Sequence, residues 1–318
     1  MSTMKKPSIL VTGAPRSGTT FLGAMLALAP GVLEIEEPFN FETGIIGMDQ
    51  PFLYMPMHAK LNSEDERYKQ LITALLEGGA WYKQSPLRPE ATNPFRQLAR
   101  SLLVSRQNLG YKLQTKNPFV DRYVIKDANA CFMAEYMDKH FQTKTVVIIR
   151  HPTATIASYK RLGWRYDLGG LQTQSMLMYD FLEPIIGKVN PKKISPIEEW
   201  SYLWLSIYTV LTQCADRDPR MTLITHEQLS QQPQETLRGL YKYLGLDYSS
   251  GIQHEVEKHT SGDNPADPRD GAVHDLYRNS AAVNGRWKKL LSTEEAATIR
   301  RITESVAYLY FNDSSWSV

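Results

Sequence analysis

The sequence predicts an α/β domain in which helices flank a central parallel sheet. Short apolar runs alternate along the 318 residues with longer amphipathic runs at helical spacing, as expected where strands and helices alternate. The run at 145–149 consists of β-branched residues, which is typical of a strand buried on both faces of a parallel sheet. A turn containing two glycines joins the first apolar run to the first helical run.

The elements follow from these patterns in chain order. We predict strands at 9–11, 32–35, 123–127, 145–149 and 221–225. We predict helices after the first turn, after Pro152, and at 65–76, 94–105, 130–140, 196–215, 233–243 and 293–310. Residues 40–109 lose the alternation, so we predict a single domain over 1–318 that carries an insertion there.

The aromatic and methionine residues of 40–109 and 162–193 suit either a ligand-binding surface or an ordinary core. Loops over a rigid scaffold often carry specificity, whereas methionine and aromatic residues at helical spacing usually fill cores. Spacing alone does not choose between these two interpretations.

Composition limits the classes of function. With 42% hydrophobic and 22% charged residues the chain can bury a large core, and a net charge of +2 argues against a general nucleic-acid surface. Cys131 and Cys214 lie in apolar helical patterns and are predicted to be reduced core thiols. The sequence offers neither a signal peptide nor a transmembrane run, so we expect a cytoplasmic protein.

The turn after the first strand is predicted to bind an anion. Helix N-termini leave backbone N–H groups unpaired and carry partial positive charge, so a loop that leads into one can hold a phosphate or sulfate. Small residues bring the backbone close, hydroxyls add donors, and a guanidinium forms a fork for oxyanions. The residues concerned are Gly13, Arg16, Ser17, Gly18, Thr19 and Thr20.

This turn differs from the P-loop of nucleotide-hydrolysing proteins. Gly13 and Gly18 keep the P-loop spacing, but Thr19 stands where that motif has lysine. A P-loop-like kinase or NTPase therefore remains one alternative. A non-catalytic protein that binds sulfated or phosphorylated ligands is another.

The sequence P-R-S-G-T-T-F-L after a strand resembles the 5'-phosphosulfate loop of sulfotransferases that use 3'-phosphoadenosine-5'-phosphosulfate (PAPS). It is most similar to the branch, including bacterial and tyrosylprotein enzymes, with arginine where cytosolic phenol and steroid enzymes have lysine. The resemblance implies a P-loop-like sulfotransferase fold with PAPS as co-substrate. It also implies transfer of the sulfuryl group to a hydroxyl or amine, with release of 3',5'-ADP and no expected metal.

The same resemblance implies catalytic roles. Arg16 would stabilise the transferred group, and Glu37, twenty-one residues after Arg16, stands where tyrosylprotein sulfotransferases have their general base. Glu36 is the competing base, and both carboxylates could instead be solvated at a turn. Lys126 matches a lysine that reaches the sulfonate in that branch, although Ile125 and Ala128 depart from its flanking pattern. A surface ion pair with Asp127 is the alternative for Lys126.

Two further elements match the part of the family that holds the nucleotide. Arg150 ends a strand and Ser158 follows eight residues later, as in the pair that binds the 3'-phosphate of PAPS. Gly285, Arg286 and Trp287 match a C-terminal loop that folds over the nucleotide, and Arg278 and Ser280 belong to the same stretch. Taken singly, the arginine could cap a strand and the serine could pack a helix.

The acceptor cannot be read from the sequence beyond its class. We expect a small-molecule, lipid or saccharide acceptor, and no nucleic-acid partner. A peptide is disfavoured because no strongly basic groove is indicated. The missing membrane span departs from the Golgi sulfotransferases, and the oligomeric state stays open.

Overall fold

A parallel sheet forms the centre of the protein. The computed structural model describes residues 6–56, 63–83, 106–261 and 285–316. In these residues five strands pair in the order β2-β3-β1-β4-β5, and every pairing is parallel. The carboxyl ends of all five strands therefore open on one edge of the sheet. The strands are β1 Ile9–Thr12, β2 Val32–Glu36, β3 Arg122–Lys126, β4 Lys144–Ile149 and β5 Met221–Thr225.

Helices pack on both faces of this sheet, which confirms the predicted fold class. The α-helices are α1 Thr19–Leu26, α2 Ser63–Leu76, α3 Arg106–Thr115, α4 Ala134–Phe141, α5 Pro152–Leu162, α6 Leu168–Gln172, α7 Ser175–Leu177, α8 Glu183–Ile186, α9 Pro196–Arg217, α10 His226–Gln231, α11 Pro233–Leu244, α12 Ser250–Thr260 and α13 Thr293–Ala307. Short 3-10 helices span Ala128–Met133, Arg286–Lys289 and Asp313–Trp316, and a π-helical turn spans Met178–Leu182.

The sheet is buried on both faces because alternate strand residues enter two different apolar clusters. Ile9 and Val11 of β1 pack with residues of α1 and α11, whereas Leu10 points into the larger cluster that contains α9 and α13. All three side chains are fully buried. The uninterrupted apolar runs of β1 and β4 have this physical cause.

Each of the five predicted strands lies within one residue of its observed bounds. Asp127, predicted as the last residue of β3, instead caps the following 3-10 helix, where its carboxylate accepts from the Asn129 backbone N–H at 2.8 Å. The helix predicted at 130–140 is thus a 3-10 helix followed by α4. The helix predicted at 293–310 ends at Ala307, and the one at 94–105 lies outside the described residues. Cys131 and Cys214 are buried free thiols, as expected.

Candidate active site

The loop between β1 and α1 is shaped by backbone that favours glycine. Gly13, Arg16 and Gly18 have φ angles of +150°, +68° and +110°. A Cβ atom on Gly13 would lie 2.3 Å from the backbone oxygen of Ile148 in β4, and one on Gly18 would lie 3.0 Å from the ring of His226. The loop therefore presses against β4 and leads into α1, whose first N–H groups have no partner inside the helix.

Two buried tyrosines hold this loop in place. They lie on α5 and α9, which pack on the face of the sheet opposite to α1. The backbone N–H of Ala14 donates to the Tyr208 hydroxyl at 3.0 Å, and that hydroxyl donates to the oxygen of Ile148 at 2.9 Å. The Tyr159 hydroxyl donates to the oxygen of Pro15 at 2.8 Å. Sequence reasoning missed both roles. The available signal was two tyrosines within otherwise apolar helical faces, since a buried hydroxyl needs a partner.

The two predicted anion elements meet. Arg150 donates from its Nη1 to the backbone oxygen of Arg16 at 3.0 Å, and Arg16 donates from Nε to the Ser158 hydroxyl at 3.4 Å. The indole N–H of Trp204 donates to the backbone oxygen of Arg150 at 3.0 Å, which holds the end of β4. The Arg16 guanidinium carbon lies 5.8 Å from the ring centroid of Trp164. Arg16, Arg150 and Ser158 therefore form one cationic corner.

This corner opens into a cavity of about 970 Å³ at the carboxyl edge of the sheet, a size at the upper end of that seen for small-molecule sites. Its walls come from the β1–α1 loop, the segment after β2, the start of the 3-10 helix after β3, the end of β4, the stretch after α5, and α10. Residues in these walls include Arg16, Gly18, Thr19, Thr20, Phe21, Glu37, Asn40, Phe52, Asn129, Arg150, Trp164, Tyr166, Leu171 and His226.

Glu37 is one of three carboxylates in the cavity wall, together with Glu42 and Asp167. Its φ of +44° turns the chain after β2, and its Oε2 accepts from Asn40 Nδ2 at 3.1 Å. Its Oε1 accepts from Lys126 Nζ at 3.0 Å, and the same ammonium donates to Glu36 Oε1 at 2.9 Å. The Glu36 side chain is 63% exposed and that of Glu37 34%. Among the described residues around the cavity, Glu37 rather than Glu36 faces it.

Comparison with known proteins identifies the family of this chain. The model of the Sulfotransferase family matches residues 7–250, about three quarters of the chain. The chain belongs to the sulfotransferase family. No curated protein sequence matches it significantly.

Solved structures of other sulfotransferases are distant from this one. The sulfotransferase domain of a Synechococcus olefin synthase gives a TM-score of 0.47 at 15% identity, covering 97% of this chain and 96% of that domain. A mouse sulfotransferase complexed with PAP gives 0.44 at 15% identity, covering 97% and 86%. Retinol dehydratase complexed with retinol and PAP gives 0.43 at 18% identity, covering 98% and 84%.

The predicted C-terminal loop of this sulfotransferase lies beyond the matched range and packs beside Arg150. Trp287 is buried, and its ring stacks on that of His151 with 6.3 Å between centroids and 10° between planes. Gly285 precedes the 3-10 helix Arg286–Lys289. The sequence analysis placed Arg278 and Ser280 in the same stretch, but they lie outside the described residues.

The basic residues of this loop do not open the last helix of the sulfotransferase. Helix α13 begins separately, with Ser292 as N-cap and Glu295 completing a capping box. Lys160 of α5 ties the loop down by donating to the backbone oxygen of Leu290 at 3.0 Å. The basic 3-10 turn and α13 are therefore two separate helical elements.

His151 joins this loop to the C-terminal turn. Its Nδ1 lies 2.7 Å from the Thr153 hydroxyl and its Nε2 lies 3.2 Å from the Ser315 hydroxyl. Burial, and then the charge of Arg150, lower the pKa of His151 to about 3, so the ring stays neutral. Its ring also meets that of Trp316 edge-on at 4.4 Å. The sequence analysis assigned His151 no role.

Two side chains after β5 complete the site. His226 lies in the cavity wall against Gly18, and its Nδ1 lies 3.1 Å from the Ser230 hydroxyl. Sequence reasoning missed His226, although a polar residue directly after a strand at this sheet edge is the signal. Glu227 is half-buried and accepts from the His151 backbone N–H at 3.1 Å. Burial raises the pKa of Glu227.

The described residues contain no cluster of three or more histidine, cysteine, aspartate or glutamate side chains suited to a metal ion. Within the same residues, no helix is both long and apolar enough to span a membrane.

Proposed function

We propose that this sulfotransferase moves the sulfuryl group of PAPS to a hydroxyl or amine and releases 3',5'-ADP. The observation that carries the proposal is the contact between Arg150 and Arg16 at one end of a large cavity. The Arg150 guanidinium is held against the Arg16 backbone, so two arginines from separate strand ends lie at that end of the cavity and favour an anionic ligand there. A ligand with anionic groups at two positions fits this arrangement.

The backbone and side-chain groups of the site have the chemistry needed to bind PAPS. A side chain at Gly13 would meet the Ile148 oxygen and one at Gly18 the His226 ring, so glycine at both positions lets the loop form a cradle that leads into the first N–H groups of α1. In this proposal the loop, with the hydroxyls of Thr19 and Thr20, holds the 5'-phosphosulfate. The Ser17 side chain, which the sequence also predicted to bind, is fully buried and is not part of the cavity wall. Arg150 and Ser158 hold the 3'-phosphate, and the turn at Gly285, Arg286 and Trp287 covers the nucleotide.

Glu37 would act as the general base. The acceptor oxygen or nitrogen forms a bond to sulfur while the bond from sulfur to the bridging phosphate oxygen breaks, and the acceptor proton passes to the Glu37 carboxylate. Arg16 and the first N–H groups of α1 stabilise the negative charge that collects on the leaving phosphate. PAPS supplies the activated sulfuryl group, so the protein has chiefly to align the two reactants.

The acceptor is proposed to be a small molecule, lipid or saccharide. Aromatic and apolar side chains, including Phe52, Tyr166 and Leu171, form part of the cavity wall. Phe52 belongs to the predicted insertion at 40–109 and Tyr166 to the stretch at 162–193. Part of both segments is therefore proposed to contact the acceptor.

Calorimetric titration with 3',5'-ADP and with ATP tests the proposal. Wild type is expected to prefer 3',5'-ADP, and Arg150→Ala to bind it about 10- to 150-fold more weakly, the worth of one charge-assisted hydrogen bond. Arg165→Ala is the matched control, because Arg165 lies in the same cavity wall but its guanidinium is paired with Glu199 at 2.9 Å. Equal or tighter binding of ATP by wild type would overturn the proposal.

A further inference from the structure

Lys126 lies beneath the cavity wall rather than in it. Its side chain is 0% exposed, and its Cβ and Cγ atoms pack where a side chain on Gly23 of α1 would be, 3.0 Å away. Its ammonium group donates to Glu36 at 2.9 Å and to Glu37 at 3.0 Å. The ammonium thus meets the two carboxylates before anything in the cavity.

The backbone of Lys126 also holds Glu37. The Glu37 N–H donates to the backbone oxygen of Lys126 at 2.8 Å, across the β2–β3 pairing that sets Glu36 beside Lys126. Glu37 adopts a left-handed φ of +44°, which a residue with a side chain keeps only where its surroundings enforce it. Lys126 on one side and Asn40 on the other provide that constraint.

We propose that Lys126 is a positioning residue: it aims the Glu37 carboxylate into the cavity and keeps it ionised, and it does not contact the transferred sulfuryl group. This inference deepens the proposed function and rests on it, since it assigns how the general base is held. It differs from the role that the sequence resemblance implied for Lys126.

The charges around Glu37 support this assignment. Burial alone would lower the pKa of Lys126, but Glu37 and Glu36 outweigh burial and raise it, so the ammonium stays charged. On the same side, burial raises the pKa of Glu34 to about 7 and that of Asp127 to about 7. These neighbours thus carry partial negative charge near neutral pH, and Lys126 places a full positive charge 3.0 Å from the Glu37 carboxylate.

The groups that face Glu37 come from several elements. Lys126 and Asp127 approach from β3 and its end, and Glu36 from β2. Arg16 and Tyr166 share the cavity with Glu37 on its open side. Arg16 remains in any Lys126 variant, so a change seen on replacing Lys126 reports the ammonium itself.

The test follows the Glu37 carboxyl group directly, because the acceptor is unidentified. Protein labelled with glutamate carrying ¹³C at its carboxyl carbon is titrated by NMR, and the Glu37 signal is assigned from its loss in Glu37→Gln. In Lys126→Met the Glu37 midpoint is expected to rise by about 1 pH unit or more, the effect of removing an adjacent opposite charge. In Glu36→Gln, a largely exposed position, it is expected to fall because a like charge is removed.

Affinity for 3',5'-ADP separates this inference from the proposed function. Lys126→Met is expected to bind 3',5'-ADP within about twofold of wild type, as for an independent site. An unmoved Glu37 midpoint in Lys126→Met would overturn the positioning role, and Glu36→Gln is the control that reports the loss of a like charge. If Lys126→Met does not fold, Lys126→Gln replaces it, with the same expected rise and the same refuting result. If wild type does not bind 3',5'-ADP, the proposed function fails while the Glu37 midpoints still test the contact.

Discussion

Replacing Tyr208 by phenylalanine removes one hydroxyl that joins the anion loop to β4. That hydroxyl accepts from the Ala14 N–H at 3.0 Å and donates to the Ile148 oxygen at 2.9 Å. Each hydrogen bond is worth about 0.5–1.5 kcal/mol, so the free energy of unfolding is expected to fall by about 1–3 kcal/mol. Urea denaturation followed by tryptophan fluorescence measures this change.

The same substitution is expected to weaken ligand binding, because the loop loses the bond that fixes Ala14 just before Arg16. If the binding free energy falls by the contribution of one hydrogen bond, about 0.5–1.5 kcal/mol, the dissociation constant of 3',5'-ADP rises about 2- to 12-fold. Calorimetry measures this change. Arg16 keeps its left-handed backbone at a conformational cost, and the Tyr208 contact with Ala14 helps to hold it there.

Tyr136→Phe is the matched control. Tyr136 is as deeply buried as Tyr208, but its hydroxyl has no hydrogen-bond partner among the residues that the structure describes. Its replacement is expected to leave both the free energy of unfolding and the affinity for 3',5'-ADP near wild type. Equal losses in Tyr136→Phe and Tyr208→Phe would refute the claim that the Tyr208 hydroxyl orders the loop.

Three further predictions follow from the site. Gly13→Ala, whose new methyl group would meet the Ile148 oxygen at 2.3 Å, is expected to lose more than about 1 kcal/mol in urea denaturation, and a near-wild-type value would contradict the cradle. Once an acceptor is found, Glu37→Gln is expected to lower kcat by about 10²- to 10⁴-fold without weakening 3',5'-ADP, and unchanged kcat would exclude Glu37 as the base. Burial, and then the charge of Glu36, raise the pKa of Glu34 from 4.5 to about 7. Its stabilising contribution is therefore full below pH 4.5 and is lost as the pH rises through 7, so Glu34→Gln is expected to flatten the decline of unfolding free energy between pH 5 and 8. Parallel declines in both proteins would contradict this.

Local signals predicted the sheet and the turn between β1 and α1 well, for physical reasons. The β-branched run of β4 and the apolar run of β1 can be satisfied only by burial on both faces, so their bounds were found within one residue. Gly13 marks where the loop backbone approaches the backbone of β4, and Gly18 marks where it approaches the His226 ring. These requirements act over a few neighbouring residues, so they can be recognised from the local sequence pattern.

Contacts between distant residues were harder to predict. The hydroxyls of Tyr159 and Tyr208 reach loop residues 144 and 194 positions earlier, and no local pattern encodes which buried tyrosine finds which partner. His226 reaches Gly18 only because β5 lies beside β4. Lys126 was placed at the right strand end, but its burial beneath Glu37 depends on the β2–β3 register.

Transfer of label from PAPS tests the central claim most directly. The protein is incubated with PAPS labelled with ³⁵S and a panel of hydroxyl and amine compounds spanning small molecules, lipids and saccharides, and product label is compared with released 3',5'-ADP. The account predicts labelled product in at least one class, equal in amount to the 3',5'-ADP formed and strongly reduced in Glu37→Gln. Label that stays in PAPS across all classes, while ATP is hydrolysed in the presence of magnesium, would contradict it.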